Sequence, residues 1–214
     1  MCIRDRDPSV QPPEPAISWQ ERFLHLARTL VIQGRSLLLW VLVALLLRWL
    51  VIEPRWIPSG SMLPTLQLQD RVLVEKLRPR LGLQPAPGTI VVFHPPPLLL
   101  AAGYDPDAAL IKRVVALPGD TVEVKGGTLW RNGEPLRPDW SGAVMDYGLP
   151  PFTVPPDHLM VLGDNRNASL DSHLWGPLPQ QELIGTAVWR YWPLKRFGPI
   201  RISAGSAGET VLAN

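Results

Sequence analysis

Hydrophobic and polar positions follow two different spacings along the chain, an early helical one and a later alternating one. Within residues 18–33, Trp19, Phe23, Leu26 and Leu30 recur at helical spacing, with polar side chains between them. This pattern predicts an amphipathic helix that lies beside a membrane.

Residues 36–53, which contain the uninterrupted apolar run 37–47, form the predicted transmembrane anchor, with Gly34 as a break before it. A helix of about seventeen residues is about 25 Å long, slightly shorter than a bilayer core of about 30 Å. Arg48 can extend its charged end to the interface, where Trp49 and Trp56 suit an aromatic belt. A buried core helix is the alternative for so short a run.

A cleaved signal peptide is the second alternative for the apolar run. Glu53-Pro54-Arg55-Trp56 follows it in place of a small-x-small cleavage site, which indicates that the anchor is retained. The arginines that precede the run favour a cytoplasmic N-terminus, although Arg48 and Arg55 weaken this signal. The preceding arginines are Arg22, Arg28 and Arg35.

Short apolar or β-branched runs, separated by Gly and Pro, replace the helical spacing after the anchor. The predicted strands are residues 71–76, 89–93, 110–117, 121–124, 159–162 and 186–192. Asn132-Gly133, within residues 128–136, is typical of a hairpin turn. We therefore predict a mainly β fold with mostly antiparallel strands.

The same patterns divide the chain into four parts. Residues 1–35 form an N-terminal cytoplasmic segment, polar and disordered over 1–17, and the anchor follows. One β domain occupies residues 54–200, and residues 201–214 form a tail of small residues.

Composition excludes several classes of function. The chain is 46% hydrophobic and 19% charged, as expected for a folded protein, and its formal net charge of +2 gives no support for a nucleic-acid partner. Cys2 is the single cysteine, so an intramolecular disulfide and a cysteine metal cluster are both impossible. The four histidines lack the spacing of metal ligands, and we expect no metal or organic cofactor.

A first candidate for chemistry is Pro58–Leu66, in which Ser59 and Ser61 bracket Gly60 between prolines. A serine on a stiff turn is held in attack geometry, and a neighbouring hydroxyl can reach the same oxyanion. Ser-Gly-Ser alone is also a common linker pattern.

A second candidate is Ile111–Asp120, where two cations interrupt an apolar strand. Strand alternation places Lys112 and Arg113 on opposite faces. Burial lowers the pKa of a lysine, and a nearby Arg113 would lower it further, so that a neutral Lys112 can act as a general base. An edge-strand lysine that extends to water is the alternative.

A third candidate is Gly163–Gly176, a loop rich in Asp, Asn, Ser and Gly that follows a predicted strand. Such a loop can hold ion pairs and present a hydroxyl to a neighbouring site. An ordinary surface turn has the same composition.

Together, these three segments resemble the characteristic motifs of the bacterial type I signal peptidases, in the same order. Residues 70–76 resemble a further motif of that family, and the resemblance covers about residues 36–193. It implies a β-rich catalytic domain behind one membrane anchor. It also implies a serine endopeptidase that removes signal peptides from exported preproteins after small-x-small sites such as Ala-x-Ala, through an acyl-enzyme.

The resemblance implies catalytic roles at matching positions. Ser61 is the nucleophile, and Lys112 is the general base in acylation and again in deacylation. The Ser59 hydroxyl and the Ser61 backbone N–H form the oxyanion hole. Ser169 orients the amino group of Lys112 through a hydrogen bond.

Further positions receive supporting roles from the same resemblance. Asp171 and Arg166 form an ion pair beneath the catalytic pair, and Asp164 is structural. The residues implied to line pockets for small substrate side chains are Ile57, Met62 and Ile111.

Three departures from the family pattern affect the loops around this site. Gln69 occupies a position where many members have glycine, and His173 one where many have arginine. Asn167-Ala168 replaces the more common acidic or polar residue followed by asparagine. None of these departures removes a predicted catalytic group.

The expected partners are preproteins with signal peptides and the lipid bilayer, and we infer no obligate protein partner. The apolar stretch 95–100 is a candidate for contact with that bilayer. The family resemblance places the protein in the plasma membrane as a single-pass protein, with its catalytic domain on the outer face.

Three alternatives to this interpretation remain. A self-cleaving or conjugative peptidase would use the same serine and lysine. A catalytically silent, membrane-tethered β module would bind peptides without cutting them. A histidine base is the third, because His158 and His173 lie close in sequence to Asp164 and Asp171.

Overall fold

The structure is a computed structural model that describes residues 19–136 and 143–202. The predictions for residues 1–17, with Cys2, and for most of the tail, 203–214, lie outside the described residues. The chain divides into two units, Met1–Leu46 and Leu47–Asn214.

One long helix, α1 (Trp19–Leu50), replaces the two helical segments that the sequence predicts. It continues through Gly34, so the predicted break is wrong. An interior glycine costs about 1 kcal/mol relative to alanine, which is too little to end a long helix without proline. The predicted anchor also extends too far, because the helix ends at Leu50 while Ile52 and Glu53 belong to a strand.

Part of this helix has the length and composition of a membrane span. Val31–Arg48 has a mean hydropathy of 1.7, and none of it is buried within the structure. Leu37 and Trp40 remain 67% and 68% exposed. A core helix buries such side chains, so the structure contradicts the buried-core alternative.

Strands are the main regular elements of the second unit. In chain order they are β1 (Ile52–Trp56), β2 (Arg71–Glu75), β3 (Ile90–Phe93), β4 (Leu110–Ala116), β5 (Thr121–Lys125), β6 (Thr128–Arg131), β7 (Glu134–Pro135), β8 (Leu149–Thr153), β9 (His158–Leu162), β10 (Leu178–Pro179), β11 (Leu183–Trp192) and β12 (Gly198–Pro199). The short helices between them are α2 (Leu77–Arg80), α3 (Pro97–Ala101) and α4 (Ser172–Trp175). The 3₁₀ helices are Gly60–Met62, Arg166–Ala168, Gln180–Glu182 and Leu194–Arg196.

These strands form two sheets. The larger has the order β1-β2-β11-β3-β4-β9-β10, with β12 paired to β11, and the smaller has the order β7-β6-β5-β8. Every pairing between described strands is antiparallel. The predicted fold class, mainly β and mostly antiparallel, is confirmed.

The six strands predicted from alternation are all present as β2, β3, β4, β5, β9 and β11. The predicted hairpin is present too: Asn132 and Gly133, with φ of 55° and 82°, connect β6 and β7. Both residues favour this left-handed region, which explains why the dipeptide predicts the turn. Within the apolar stretch 95–100, residues 97–100 belong to α3, where Leu99 is buried and Pro97, Leu98 and Leu100 are exposed.

Strand β4 positions the candidate site. It lies between β3 and β9, and every residue from Ile111 to Ala116 is buried. One hydrophobic cluster contains Ile57, Met62 and Ile111 and therefore joins β4 to the segment that carries the two serines.

Candidate active site

Ser61 lies on a 3₁₀ turn, Gly60–Met62, shortly after β1. The Ile57 N–H donates to the Asp70 carbonyl at 2.9 Å, and the Gln69 N–H donates to the Ile57 carbonyl at 2.8 Å. Two flanking segments of the chain are therefore tied together at the base of this turn. Ser61 itself is 8% exposed, so the turn holds the hydroxyl in a largely enclosed position.

Lys112 reaches the same point from strand β4. Its Nζ donates to the Ser61 Oγ at 2.8 Å, and the residue is only 5% exposed. The edge-strand alternative for Lys112 is wrong, because β4 pairs with β3 on one side and β9 on the other. The two groups assigned to catalysis from sequence are thus in direct contact.

Burial changes the acidity of the Lys112 amine. It lowers the pKa of Lys112 from 10.5 to about 8, while the negative charges of Asp171 and Asp164 act in the opposite direction. A lysine with this pKa is neutral in a substantial fraction of molecules near neutral to mildly alkaline pH. The amine can therefore accept a proton from the hydroxyl beside it.

Arg113, the neighbouring cation, has a different function from the one expected. Its guanidinium forms a paired contact with Asp164, with Nε to Oδ1 at 2.8 Å and Nη2 to Oδ2 at 2.6 Å. Its Nη1 also donates to the Gly88 carbonyl at 2.6 Å. The expected lowering of the Lys112 pKa comes from burial, and Arg113 is not among its causes. Asp164 is therefore buried in an ion pair with Arg113.

Ser59 lies next to the nucleophile candidate. Its Oγ is 3.3 Å from the Ser61 Oγ, within hydrogen-bond distance. Asn165 holds this turn from the other side, because its N–H donates to the Ser61 carbonyl and its Nδ2 to the Gly60 carbonyl, both at 3.1 Å. Sequence reasoning missed this role of Asn165, although the residue lies inside the third motif.

Gly163 allows the loop 163–171 to approach the serine turn closely. A Cβ at this position would lie 2.1 Å from the Ser169 Oγ and 2.6 Å from the Ser61 carbonyl oxygen. The Ser169 Oγ is buried next to this backbone and has no hydrogen-bond partner, so the implied bond to Lys112 is not formed. Close packing against Gly163 is what determines where this hydroxyl lies.

Asp171 also has partners other than the expected one. Its Oδ2 accepts from the Gly163 N–H at 2.8 Å, and its Oδ1 is 2.7 Å from the His173 Nδ1. The expected ion pair between Asp171 and Arg166 is not formed, since the carboxylate of Asp171 bonds to Gly163 and His173 instead. Asp171 also precedes α4 as its N-cap and accepts from the His173 N–H.

Arg166 is 1% exposed, and its Nε and Nη1 have no hydrogen-bond partner. Burial lowers the pKa of Arg166, and the negative charges of Asp164 and Asp171 oppose this change. Arg166 therefore acts on its neighbours through its charge and not through a hydrogen-bonded ion pair.

Tyr147 also packs beside these side chains, from a stretch in which sequence reasoning found no motif. Its ring stacks on His173 with 3.9 Å between centroids. Burial, together with the charge of Asp171, raises the pKa of Tyr147 to about 12, so the phenol stays neutral. An isolated tyrosine between Gly and Asp has no signal from which this contact could have been predicted.

A cleft of about 500 Å³ opens beside Ser61 and Lys112. Ile111 lines it, as predicted, together with Ala168, which is one of the departures from the family pattern. Ile57 and Met62 do not line it: they are 2% and 0% exposed and lie in the core cluster behind it. These two residues therefore support the wall of the cleft from behind and do not form its surface, which corrects their assignment to the pocket. Further lining residues that sequence reasoning missed are Tyr104, Ala109, Leu110 and Leu170.

The two histidines proposed as alternative bases contact other groups. The His158 Nδ1 is 2.8 Å from the Pro156 carbonyl oxygen, and His173 is engaged with Asp171 and Tyr147. The hydroxyl of Ser61 is bonded to Lys112 instead. Within residues 19–136 and 143–202, no three His, Cys, Asp or Glu side chains come together in a way that could hold a metal ion.

Comparison with known proteins agrees with this geometry. The family model described as signal peptidase, peptidase S26, matches residues 30–192. The chain is 51% identical over 164 residues to a probable signal peptidase I-1 of Synechocystis sp., covering 77% of this chain and 83% of the relative. It is 44% identical over 193 residues to a signal peptidase I of Leptolyngbya laminosa, covering 90% and 93%.

A plant protein is also similar. The probable chloroplastic thylakoidal processing peptidase 2 of Arabidopsis thaliana is 46% identical over 160 residues, which cover 75% of this chain and 43% of that protein. The relatives and the apolar span of α1 together indicate association with a membrane. The family model covers most of the chain, and the chain therefore belongs to the signal peptidase family, peptidase S26, as a serine endopeptidase.

Proposed function

We propose that Ser61 and Lys112 are the catalytic pair with which this peptidase removes N-terminal signal peptides from exported preproteins. The observation that carries the proposal is the contact of 2.8 Å between the Lys112 Nζ and the Ser61 Oγ inside a buried site. A nucleophile and its base must lie within hydrogen-bond distance, and the base must be able to lose its proton near the working pH. A lysine with a pKa of about 8 meets the second requirement.

In acylation, the Ser61 Oγ attacks the carbonyl carbon of the scissile peptide bond while the Lys112 Nζ takes the hydroxyl proton. The carbonyl oxygen becomes an oxyanion, for which the Ser61 backbone N–H and the Ser59 hydroxyl are the proposed donors. Lys112 then gives its proton to the leaving nitrogen, and the C–N bond breaks. The mature protein departs with a free amine, and the signal peptide remains as an ester of Ser61.

In deacylation, a water molecule attacks the ester carbon while Lys112 takes one of its protons. Collapse of the second tetrahedral intermediate returns that proton to the Ser61 Oγ and releases the signal peptide as a carboxylic acid. Asp164 and Asp171 are proposed to support this cycle, because their negative charges favour protonated Lys112 and so oppose an excessive loss of basicity.

The cleft favours small substrate side chains. Its wall near the pair includes Ile111, Ala109 and Ala168, and its total volume of about 500 Å³ has to hold several substrate residues. We propose that it selects small residues one and three positions before the cut, as in Ala-x-Ala. Ser169 and Arg166 are proposed to hold the loop that forms the far wall, through packing and charge.

We propose the plasma membrane as the location, with the apolar part of α1 as a single-pass anchor, the chain before it in the cytoplasm and the domain 54–200 on the outer face. The arginines before the span support this orientation, and the apolar surface of Val31–Arg48 supports the contact with lipid. A relative described as thylakoidal makes an internal membrane the competing location. Protease protection of an N-terminal tag in spheroplasts, with fractionation of the membranes, distinguishes the two.

Cleavage of a defined preprotein tests the proposed function. The full chain in detergent is incubated with a preprotein that carries one Ala-x-Ala site, and mass spectrometry maps the products. We expect one cut directly after that site, no cut with Ser61→Ala, and unchanged cutting with Ser36→Ala, a control at an exposed position of α1. Replacing the alanine before the cut by tryptophan should reduce kcat/KM at least tenfold. A cut that Ser61→Ala still makes would contradict the proposal.

A further inference from the structure

A second cleft, of about 440 Å³, lies in the catalytic unit and shares no lining residue with the active-site cleft. Strands β1 and β11 and the end of α2 contribute to its wall, and its surface is predominantly polar. Of its lining residues only Lys76 belongs to a family motif, that of residues 70–76, and the proposed mechanism uses none of their side chains. Its charged lining residues are Glu53, Arg55, Lys76 and Arg80, with His94 beside them.

Positive charge exceeds negative charge in this wall. Three cations face one carboxylate, that of Glu53, which leaves an excess of two positive charges with His94 neutral. The Lys76 Nζ lies 3.0 Å from the Glu53 Oε2, and Arg55 pairs with the other oxygen of the same carboxylate. Glu53 is thus already neutralised by two cations, and the guanidinium of Arg80 adds a positive charge at the rim.

Two donors in the wall have no acceptor. The Arg55 Nε and the Gln180 Nε2 are both buried and make no hydrogen bond in the structure. Buried donors of this kind are uncommon in folded proteins, and a bound acceptor relieves their cost. Excess positive charge and unsatisfied N–H donors together favour an oxygen-rich anion.

The position of the cleft along the chain suggests where such an anion comes from. The Arg80 Nη1 donates at 2.9 Å to the carbonyl of Leu50, the last residue of α1. Arg55 follows Leu50 by five residues, which span at most about 17 Å even when fully extended. The cleft therefore lies within reach of the headgroup layer if α1 spans the bilayer.

We infer that this cleft binds a phosphate-type anion, with Arg55, Lys76 and Arg80 as the cationic contacts and Gln180 as a neutral donor. The headgroup of an anionic phospholipid and free inorganic phosphate share this chemistry. The inference does not depend on the catalytic roles of Ser61 and Lys112. Binding here would secure the catalytic unit against the membrane surface at a point separate from the helical anchor.

The test uses the full chain in a neutral detergent and short-chain lipids as probes. Phosphatidylglycerol, phosphatidylcholine with the same chains, and inorganic phosphate are titrated separately, and binding is followed by calorimetry. Arg80→Gln and Arg55→Gln remove one cation each. Arg78→Gln is the matched control, because it removes the same charge from the same short helix at an exposed position outside the cleft.

We expect phosphatidylglycerol to bind at least tenfold more tightly than phosphatidylcholine. Arg80→Gln and Arg55→Gln should each weaken that binding at least tenfold, while Arg78→Gln changes it less than twofold. Competition by inorganic phosphate would assign the site to any phosphate anion, and its absence would assign the site to lipid headgroups. Equal binding of the two lipids, or equal binding by Arg80→Gln and Arg78→Gln, would overturn the inference.

Preprotein cleavage by the same samples separates this inference from the proposed function. In detergent without anionic lipid, Arg80→Gln should cleave at the wild-type rate, because Arg80 lies outside the active-site cleft. Arg80 is exposed, so its replacement leaves the fold intact, and a thermal melt of each variant checks this directly.

Discussion

Gln69 adopts a backbone conformation that side chains with a Cβ disfavour. Its φ is 67°, in the left-handed region, and the residue is exposed. Many members of the family have glycine at this position, so the resemblance marked residue 69 as a departure. It did not show that the backbone conformation is the reason for the glycine. The left-handed conformation costs a non-glycine residue roughly 1–2 kcal/mol. The turn nevertheless forms, because the Gln69 N–H bonds to the Ile57 carbonyl.

Gln69→Gly should therefore raise the free energy of unfolding, by up to about 1 kcal/mol after the greater flexibility of glycine in the unfolded chain is included. Gln67→Gly is the control, since Gln67 is also exposed but lies outside the left-handed region, and it should lower the free energy of unfolding. Denaturant titration of both variants measures the two changes. Equal changes in the same direction would show that φ at residue 69 carries no strain.

Individual contacts around the catalytic pair were harder to predict than the pair itself. Ser61 and Lys112 follow from motif order and from a lysine within an apolar strand. The partners of Asp171 and Ser169 could not be predicted in this way. Packing in a crowded loop decides which donor, if any, lies within reach of a carboxylate or a hydroxyl. With histidine at position 173, the imidazole takes one oxygen of Asp171, and the Gly163 N–H takes the other.

At the scale of elements, loop 163–171 and the serine turn depend on each other. Gly163 lies so close to Ser61 and Ser169 that a methyl group cannot be added without moving one of them. Movement of either segment shifts the nucleophile relative to Lys112, and a displacement of about 1 Å can reduce a rate about 100-fold.

Gly163→Ala should consequently reduce kcat for preprotein cleavage at least tenfold. Gly148→Ala is the control, because a Cβ there meets its nearest atom, the Val124 carbonyl oxygen, at an ordinary 3.7 Å. Steady-state kinetics of both variants, with a thermal melt of each, provide the measurement. Wild-type kcat in a folded Gly163→Ala variant would mean that the loop does not position Ser61.

The strands illustrate how far alternation predicts this fold. Strands with β-branched runs, such as β3 and β4, were predicted almost to the residue. Strands β1 and β8 were not, because Pro54 and Pro150-Pro151 interrupt the β-branched pattern on which the strand predictions rest. Both strands lie at the edge of a sheet. One side of an edge strand has no neighbouring strand, so a proline, which lacks the N–H, can be placed there without loss of a hydrogen bond between strands. Sequence alone does not indicate which strand will be at the edge.

At the scale of the whole molecule, the boundary between anchor and catalytic unit can be tested by truncation. The sequence pattern puts this boundary after Glu53, whereas the structure pairs Ile52 with Glu75 and Glu53 with Val74 in the sheet. Glu53 also neutralises Lys76, which is 8% exposed. Removal of residues 1–53 would therefore leave a buried lysine without its carboxylate.

A fragment without residues 1–50 should melt at a higher temperature than one without residues 1–53, by roughly 4 °C or more. Both fragments lack α1, so the difference reports only the first residues of β1. Calorimetry in the same detergent measures both transitions. Coincident melting temperatures would show that residues 51–53 add nothing to the catalytic unit.

The pH dependence of cleavage tests the central claim, that a buried Lys112 is the base for Ser61. The pKa of Lys112 is lowered to about 8, so the amine is protonated and inactive below that pH and neutral above it. We predict that kcat/KM rises tenfold per pH unit below an apparent pKa of about 8 and then levels off.

Lys112→Arg should be inactive at every pH, because arginine stays protonated. His158→Ala and His173→Ala, shown to be folded, should keep much of the activity. Full activity in a folded Lys112→Ala variant, with loss of activity in either histidine variant, would contradict the account.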